Sequence, residues 1–495
     1  MPKRASTLAL TSTLACAAVL AGASSLADSR AHTSLSADVT PATASEAQWS
    51  APAVLGACPA VGQARVVFPS DSPSQATGPG AIVWSAGSSC PGGEGARVAA
   101  IGADDEPGAS VIPRTAAGRP LAPRGALVAS GAPRGQIVIA GSSTRAASVG
   151  LLIQGPAGGP FSALAPAAGA SAPMALATAY LGDVALASPP APSSSPAGAS
   201  QSVPAPSSAG AGASTAGIDV HVERFFARGF DRNIATSAAG SGGVRALTLA
   251  MDYRSEALAV WAQGGSIYAR LVAQRGAPGP LQRLAPADTH TRIAAVLSDD
   301  RRAIVAWSAQ RGSETLVYLD RSAVGVRFGS PQLLERFRDP DGLQSPAASP
   351  SLVRLSSETV MLAWAGSVGG HWVIRAAPVD LNGLGAVDTI AAPGGDALLA
   401  DLAAGPADDA FLLWSEPEPT ESGAPDMRRQ ALFAARGFDV APPRALFGEP
   451  EQVAPPAPVG DASVALDPSS DRALAVWQGE AGSIEFSVGV GTRGP

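Results

Sequence analysis

The side chains that most often act as nucleophiles, proton donors or metal ligands are few in this sequence and scattered along it. Its four tyrosines and four histidines are Tyr180, Tyr253, Tyr268, Tyr318, His32, His221, His290 and His371. No histidines stand at a zinc-ligand spacing such as His-Glu-x-x-His, and no Gly-x-Ser-x-Gly segment marks a hydrolase serine. The patterns predict no catalytic residue, cofactor or metal site, and they favour a non-catalytic protein over an enzyme.

The chain has three cysteines, of which Cys16 lies in a predicted export signal. Cys58 and Cys90 then remain as a pair in the mature chain, and an exported chain meets an oxidising environment. We therefore predict a disulfide between Cys58 and Cys90. Two buried free thiols are the alternative, and the spacing of these cysteines fits no metal-binding motif.

Residues 1–27 are typical of an export signal. Lys3 and Arg4 precede an uncharged stretch rich in Leu and Ala, and small residues near Ala27 suit cleavage by a signal peptidase. Cleavage after Ala23 is one alternative. Lipidation at Cys16 is another, although the apolar run continues well past that residue. We expect the protein to be secreted or associated with the cell envelope.

The mature chain is acidic, with a moderate number of charges. The net charge of -7 becomes -9 when Lys3 and Arg4 are removed, and charged residues make up 15% against 46% hydrophobic residues. Such a chain can bury a core, and its negative charge makes nucleic acid a poor partner. No second membrane-spanning segment is predicted, because prolines interrupt the longest uncharged stretch, residues 146–182.

A short apolar segment that ends in tryptophan recurs along the chain. Six of the eight tryptophans occupy this position, namely Trp84, Trp261, Trp307, Trp364, Trp414 and Trp477. Two further copies lack the tryptophan and end at Ala140 and Ala187. Successive copies end 46 to 74 residues apart, a spacing typical of propellers and other repeat arrays.

Each copy lies within a series of short apolar segments and turns. An apolar segment and a turn rich in Asp, Ser, Gly and Arg precede it, as in residues 247–252, and a strand-like segment follows, as in residues 266–270. This pattern predicts a meander of antiparallel strands, and hence an all-β protein. We predict a β-propeller of seven or eight blades, in which residues 65–68 complete the last blade and close the ring.

The propeller is predicted to span residues 54–495 and to follow a flexible N-terminal segment, residues 28–53. Within it, residues 188–217 consist almost entirely of Ser, Pro, Ala and Gly, a composition typical of flexible linkers. Strand-like segments border this stretch on both sides. We therefore predict a disordered hairpin insertion within one repeat, and a boundary between two domains is the alternative.

Over nearly the whole mature length the chain resembles bacterial secreted propellers with sialidase-like repeats. Sialidases carry the Asp-box Ser-x-Asp-x-Gly-x-x-Trp, in which the aspartate caps a tight turn before the tryptophan. Here Asp252 precedes Trp261 by nine residues and Asp467 precedes Trp477 by ten, so the motif itself is absent. The resemblance would imply an arginine cluster, a tyrosine nucleophile with a glutamate, and an acidic proton donor. Tyr268 and Tyr318, however, lie in strand patterns where packing is the expected role.

We expect an extracellular propeller that binds a glycan or another protein through loops at one face of the ring. Loops on a rigid scaffold can vary without disturbing the core. A sialidase-like glycoside hydrolase is the first alternative, which arginines and carboxylates clustered at the mouth of the central channel would favour. A structural cell-envelope protein is the second, which a surface without a pocket or an apolar patch would favour.

Overall fold

The computed structural model describes most of the chain from Gln48 onwards. The described residues are 48–56, 60–72, 75–76, 78–102, 104–121, 123–142, 150–164, 173–179, 182–189, 217–223, 230–237, 243–273, 278–323, 327–338, 349–355, 359–380, 383–390, 395–405, 408–423, 425–437, 447–468, 470 and 472–490. The chain divides into two compact units, Met1–Ala44 and Ser45–Pro495. All described residues belong to the second unit, so the predicted export signal, Cys58 and Tyr180 lie outside them.

Eight small antiparallel sheets, numbered here as blades 1 to 8, contain all the described strands except two, which form a separate hairpin. Blade 1 has β3 (Arg65–Val67), β6 (Ala81–Ala86) and β7 (Gly95–Ala100), beside a hairpin of β4 (Ser70–Ser72) and β5 (Gln75–Ala76); blade 2 has β8 (Arg124–Ala132), β9 (Gln136–Ser142), β10 (Gly150–Pro156) and β11 (Ser162–Ala163); blade 3 has β12 (Ala175–Thr178), β13 (Val184–Ser188), β14 (Gly217–Glu223) and β15 (Phe230–Ser237); blade 4 has β16 (Val244–Met251), β17 (Ala257–Gln263), β18 (Ser266–Val272) and β19 (Gln282–Pro286).

The later blades follow the same plan. Blade 5 has β20 (Arg292–Leu297), β21 (Ala303–Arg311), β22 (Glu314–Ala323), β23 (Arg327–Phe328) and β24 (Gln332–Arg338); blade 6 has β25 (Ser351–Arg354), β26 (Val360–Val368), β27 (His371–Val379) and β28 (Asp388–Ile390); blade 7 has β29 (Leu398–Ala404), β30 (Ala410–Pro419), β31 (Pro425–Gly437) and β32 (Glu451–Ala457); blade 8 has β33 (Ala462–Leu466), β34 (Arg472–Gln478) and β35 (Ile484–Val490), together with β1 (Gln48–Trp49) and β2 (Ala53–Gly56).

The blades form a closed ring. The first strand of each blade contacts the first strands of both neighbouring blades, and β33 of blade 8 contacts β3 of blade 1. The prediction of an all-β propeller is therefore confirmed, and the number of blades is eight. The described residues form no α-helix, and none of their helical segments is long and apolar enough to cross a membrane.

The strand that closes the ring is not the one expected from the sequence. β1 and β2 pair antiparallel with β35, so that blade 8 joins the beginning of the propeller to its end. Arg65–Val67, which was predicted to do this, is instead the first strand of blade 1 and pairs with β6. Both segments are short and partly apolar, so their sequences do not show which one closes the ring. Packing against β35 decides it. The indole of Trp49 lies where a Cβ on Gly489 would come within 2.9 Å of the ring, so the glycine makes room for this closing strand.

The repeated tryptophan segments are the second strands of their blades. All six repeat tryptophans are at most 1% exposed. A second strand has a neighbour on each side and a blade against each face, so every residue of β6 and of β17 is buried. Burial on both faces explains why these segments are continuous apolar runs and do not alternate with polar residues.

The two copies without tryptophan, which end at Ala140 and Ala187, are also second strands, β9 in blade 2 and β13 in blade 3. The stretch rich in Ser, Pro, Ala and Gly follows β13. Ser188 pairs with Asp219, so β13 and β14 are neighbours in blade 3. Residues 190–216 between them lie outside the part of the chain that the structure describes.

Candidate functional site

Charged side chains from several blades meet at one end of the ring, which we call the turn face. It carries the turns between first and second strands, and also those between third and fourth strands, because successive antiparallel strands reverse direction. On blades 4 to 6 the charged residues at this end are Asp252, Arg254, Glu256, Asp299, Asp300, Arg301, Arg302, Asp320, Arg321, Arg354 and Asp380. They come from five separate stretches of the sequence, in three blades.

The turn that precedes the tryptophan strand of blade 4 is organised by Asp252. Its Oδ1 atom accepts hydrogen bonds from the backbone N–H groups of Arg254, at 2.9 Å, and of Glu256, at 2.8 Å. Ser255 between them has a φ of 63°, a left-handed conformation that such a tight turn requires. The aspartate thus caps the turn with its own side chain, as Asp residues commonly do.

A chain of polar contacts joins blades 4, 5 and 6 on the turn face. Arg301 of blade 5 donates to Glu256 of blade 4 at 2.5 Å. Asp299 of blade 5 accepts from the backbone N–H of Tyr253 in blade 4, at 3.1 Å, and its Oδ1 also accepts from Nη1 of Arg354 in blade 6, at 2.6 Å. Nη2 of Arg354 donates to the second carboxylate oxygen of Asp299. A bidentate pair of this kind fixes the relative orientation of neighbouring turns.

A cavity of about 530 Å³ opens between blades 5 and 6, and we call it the blade 5–6 pocket. Its apolar walls come from the ends of the strands, with Val296, Leu319 and Val379 among them. Its charged groups are three carboxylates and two guanidinium groups, from Asp300, Asp320, Asp380, Arg302 and Arg321. The volume falls within the range of small-molecule sites, and the wall combines apolar residues with many hydrogen-bonding groups.

Most of the charged groups in the pocket already have partners. Arg302 pairs with Asp300 at 2.6 Å. Arg321 donates to the backbone oxygen of Asp380 at 3.1 Å, and Asp380 Oδ1 accepts from the N–H of Gly383 at 2.9 Å. These groups are therefore held in place before any ligand arrives.

Asp320 differs from the other carboxylates in the blade 5–6 pocket. The residue is 3% exposed, and its Oδ1 accepts from the backbone N–H of Arg321 at 2.8 Å. Its Oδ2 is buried and has no hydrogen-bond partner among the described residues. Burial raises the pKa of Asp320 above its usual value, and backbone hydrogen bonds from Arg321 and Gly329 only partly oppose this. The pocket therefore contains an acceptor that lacks a donor.

A smaller cavity of about 180 Å³ lies at the mouth of the central channel, and we call it the channel cavity. The ends of the first strands of blades 3 to 6 surround it, with Thr178, Asp252 and Arg354 as its polar residues. Asp252 is 1% exposed, and its Oδ2 has no hydrogen-bond partner in the described part of the chain. Burial, together with the nearby charges of Glu256 and Asp299, raises the pKa of Asp252 to about 6.

An exposed tyrosine stands beside these two cavities. Tyr253 is 37% exposed and, with Arg254, Asp299 and Asp300, lines a shallow depression on the turn face. Asp300 also lines the blade 5–6 pocket, so the depression and the pocket adjoin. Nε of Arg254 donates to the hydroxyl of Tyr253 at 2.7 Å, and the guanidinium carbon lies 5.1 Å from the ring centroid. The ring is thereby held in one orientation.

The other tyrosines considered as nucleophiles do not lie at the turn face in the described part of the chain. Tyr268 and Tyr318 pack against Trp261 and Trp307, with centroid distances of 5.7 and 5.4 Å, as their strand patterns predicted. Tyr180 lies outside the described residues. Tyr253 is therefore the one tyrosine that the described residues place at the channel mouth.

The three described histidines, His221, His290 and His371, stay apart from the turn-face cluster, and His32 lies outside the described residues. His221 is buried in blade 3, where burial lowers its pKa, and the side chain of His371 is 64% exposed. Among the described residues no three His, Cys, Asp or Glu side chains are placed to hold a metal ion together.

Arginines and carboxylates do cluster at the channel mouth, an arrangement that would favour a hydrolase. Two of these arginines, however, already pair with carboxylates: Arg354 with Asp299 and Arg301 with Glu256. Of the two buried acids at the site, Asp252 had been visible in the sequence through its place before Trp261. Asp320 had no such signal, because it stands among ordinary strand residues within β22.

No protein-family model matches the chain, and no curated protein matches it in sequence. Solved structures that resemble it in fold include an ulvan lyase described as a new family of polysaccharide lyase, with 9% identity, a TM-score of 0.45, and coverage of 88% of this chain and 95% of that one. The Aleuria aurantia lectin, a six-bladed β-propeller, has 12% identity, a TM-score of 0.34, and coverage of 67% and 96%. A neuraminidase-like protein of A/little yellow-shouldered bat has 10% identity, a TM-score of 0.23, and coverage of 50% and 95%. At such identities and TM-scores they assign neither ligand nor activity to this chain.

Proposed function

We propose that this protein binds a neutral or amine-bearing sugar in the blade 5–6 pocket, with Oδ2 of Asp320 accepting a hydrogen bond from the ligand. The observation that carries the proposal is the buried carboxylate oxygen without a donor, in a cavity large enough for a small ligand. A buried acceptor left without a donor costs about 1 to 3 kcal/mol. A hydroxyl or ammonium group of a ligand would remove that cost.

The walls of the pocket suit a sugar because they combine hydrogen-bonding groups with apolar surface. Ser330, Gln332 and Thr359 add hydroxyl and amide groups to the charged residues, while Val296 and Val360 supply apolar area. Sugars present hydroxyl groups around a ring that also carries C–H surface. Pre-organised polar groups on an apolar wall would fix the orientation of such a ligand.

The charged residues of the blade 5–6 pocket limit the kind of sugar that can bind there. Three carboxylates and two guanidinium groups line the pocket, and both guanidinium groups already have protein oxygens as partners. An acidic sugar would bring a further negative charge to Asp320 and meet repulsion. We therefore propose uncharged sugars and amino sugars, in preference to uronic or sialic acids.

The proposal can be tested by binding measurements on the mature chain. A glycan array with neutral, amine-bearing and acidic members at pH 7 should yield hits of the first two kinds, and calorimetry should then give their affinities. Asp320→Asn replaces a charge-assisted hydrogen bond with a neutral one, so we expect binding about tenfold weaker. Glu421→Gln is the matched control, because it removes an exposed acid from the opposite end of the ring.

Two results would overturn this proposal. One is the absence of binding to any neutral or amino sugar at millimolar concentration. The other is sugar binding that Asp320→Asn leaves unchanged while the variant keeps the wild-type melting temperature, since the pocket acid would then contact only water.

A second candidate function is glycoside hydrolysis at the channel mouth. It is favoured by Asp252, a buried acid with a free oxygen and a pKa of about 6. A carboxylic acid that stays protonated near that pH is suited to donate a proton to a leaving group. Incubation of the bound sugar oligomers at pH 5.5, followed by mass spectrometry, would reveal cleavage that Asp252→Asn abolishes. Intact oligomers after prolonged incubation would leave binding as the function.

We further propose that the protein is exported, with a mature chain that starts at Asp28 and a disulfide between Cys58 and Cys90. The basic and apolar pattern of residues 1–27 supports export. Cys90 is 5% exposed, and the loop beside it is held by Arg97, which donates to the oxygens of Pro91 and Gly93 at 2.9 and 2.7 Å. Mass spectrometry of unreduced peptides from the secreted protein should show the linked pair and an N-terminus at Asp28.

A further inference from the structure

We propose that the ligand of the blade 5–6 pocket is an oligosaccharide, whose next residue leaves the pocket over the turn at Ser298–Arg302 and stacks on the ring of Tyr253. This inference rests on the proposed function. It adds a second subsite and a minimum length of two sugar residues to the ligand.

The first support is continuity of the surface. Asp300 lines the blade 5–6 pocket on one side of the turn and the depression around Tyr253 on the other. A chain that leaves the pocket toward the channel therefore meets Tyr253 next. The depression is shallow and open, so a chain can cross it without any rearrangement of the turn face.

The second support is the exposure of Tyr253. Among the described residues Tyr253 is the one exposed aromatic side chain, whereas all six repeat tryptophans are at most 1% exposed. Tyr253, at 37%, stands on a charged surface where no neighbouring blade needs it for packing. Tyrosine at such a place supplies a large, rigid contact area at a low cost in side-chain entropy.

The third support is that the ring is already oriented. The backbone N–H of Tyr253 donates to Asp299, which Arg354 holds from blade 6, and the hydroxyl of Tyr253 accepts from Arg254. These contacts come from three blades and hold both ends of the residue. A platform fixed in this way binds a ligand without ordering itself first.

The chemistry of stacking fits the same ligand class as the pocket. The face of an aromatic ring carries partial negative charge, so it attracts the C–H face of a sugar ring or a nearby amine. Uncharged sugars and amino sugars meet this condition. Asp299 and Asp300 beside the platform would repel an acidic sugar, as the carboxylates in the pocket would.

The test is the dependence of affinity on ligand length. Calorimetry at pH 7 would compare β-1,4-linked oligomers of glucose, N-acetylglucosamine and glucosamine, from one to six residues. For the wild type we expect affinity to rise about threefold to tenfold from the single sugar to longer oligomers, the range expected for one aromatic contact. Tyr253→Ala should remove this rise and leave the affinity for the single sugar unchanged, whereas Tyr253→Phe should keep most of it.

Controls separate this inference from a loss of fold and from the proposed function. Met427→Ala truncates another exposed apolar side chain, 38% exposed, in a hairpin at the opposite end of the ring, and should keep the full rise with length. Single sugars that bind as tightly as hexamers, or a rise that survives in Tyr253→Ala, would overturn the second subsite alone. The proposed function itself would be overturned if Asp320→Asn left the affinity unchanged, or if none of the three series of oligomers bound.

Discussion

Blades 4 and 5 share nearly the same core, but the turns that lead into their tryptophan strands differ. In both blades a buried tryptophan lies directly opposite a tyrosine of the third strand, Trp261 opposite Tyr268 and Trp307 opposite Tyr318. In the turn of blade 4, Asp252 caps the backbone with its carboxylate. In the turn of blade 5, the hydroxyl of Ser298 accepts from the backbone of Arg302 and donates to Asp300.

This difference shows which parts of the repeat must keep the same side chains and which parts can vary. A second strand packs between two blades, so its side chains must fill the same space in every copy. A turn on the open end of the ring needs only to reverse the chain, and several side-chain arrangements achieve that. Asp252, Asp320 and Tyr253, which carry the proposals, all lie outside the second strands.

The largest effect should come from the shared core. Trp261→Ala and Trp307→Ala each leave a large cavity between blades, so each should lower the free energy of unfolding by about 3 to 5 kcal/mol. Both tryptophans pack against a tyrosine, but Nε1 of Trp261 also donates to Gln263 at 3.2 Å, whereas Nε1 of Trp307 has no partner among the described residues. The loss at Trp261 should therefore be the larger by about 1 kcal/mol. Urea unfolding followed by tryptophan fluorescence would measure both. A small loss at either position would mean that the two cores are not equivalent.

The next effect belongs to the turn of blade 4 and depends on pH. The pKa of Asp252 is about 6 in the folded chain, against 3.8 for a free aspartate side chain, so the folded form binds more protons between those values. The free energy of unfolding therefore falls as pH rises from about 4 to about 6, by about 3 kcal/mol from this group.

Asp252→Asn removes that titration. The variant should gain about 3 kcal/mol relative to the wild type between pH 4 and pH 7, as measured by urea unfolding at each pH. For Glu421→Gln, which removes an exposed acid elsewhere, the free energy of unfolding should change with pH as it does in the wild type. A constant difference between Asp252→Asn and the wild type across this range would show that Asp252 is not buried in the way described.

A smaller difference in stability should distinguish the tryptophan of blade 7 from that of blade 5. Nε1 of Trp414 in blade 7 donates to Glu416 at 2.8 Å, whereas Nε1 of Trp307 has no partner among the described residues. Phenylalanine keeps most of the packing but loses the N–H group. Trp414→Phe should therefore cost about 1 to 2 kcal/mol more than Trp307→Phe, because it leaves a buried acceptor short of a donor. Equal losses would show that this hydrogen bond adds nothing to stability.

The smallest effect should come from the ion pair between the two turns. The side chain of Arg301 is 38% exposed and that of Glu256 is 13% exposed, so solvent screens their attraction. Arg301→Ala should lower the free energy of unfolding by less than about 1 kcal/mol. A double-mutant cycle with Glu256→Ala, at low and high salt, would isolate the pair. A coupling well above 1 kcal/mol would mean that the turns of blades 4 and 5 act as one unit.

The repeated strands could be predicted from the sequence because their signal is local. Six buried tryptophans at regular spacing, together with the copies that end at Ala140 and Ala187, indicated second strands of a propeller, and the structure places them there. The closing strand could not be predicted in the same way. Gln48–Trp49 and Arg65–Val67 are both short, and the choice between them depends on contacts with β35, more than 400 residues away.

The candidate site was less predictable, because each of its residues looks ordinary where it stands. Asp320 lies inside β22, three residues before its end, and Tyr253 lies in a turn after Asp252. The sequence showed a turn that an aspartate could cap. It did not show that turns from blades 4, 5 and 6 meet, since ring geometry alone brings them together.

The sequence by itself determined an all-β chain of repeated units of short antiparallel strands, because strand periodicity and the apolar segments that end in tryptophan act over a few neighbouring residues. Only the tertiary structure decided the number of blades, the strand that closes the ring, and the meeting of Asp320 with the walls of the blade 5–6 pocket. These depend on contacts between distant segments. Such contacts follow from packing the whole ring, and local patterns carry little information about them.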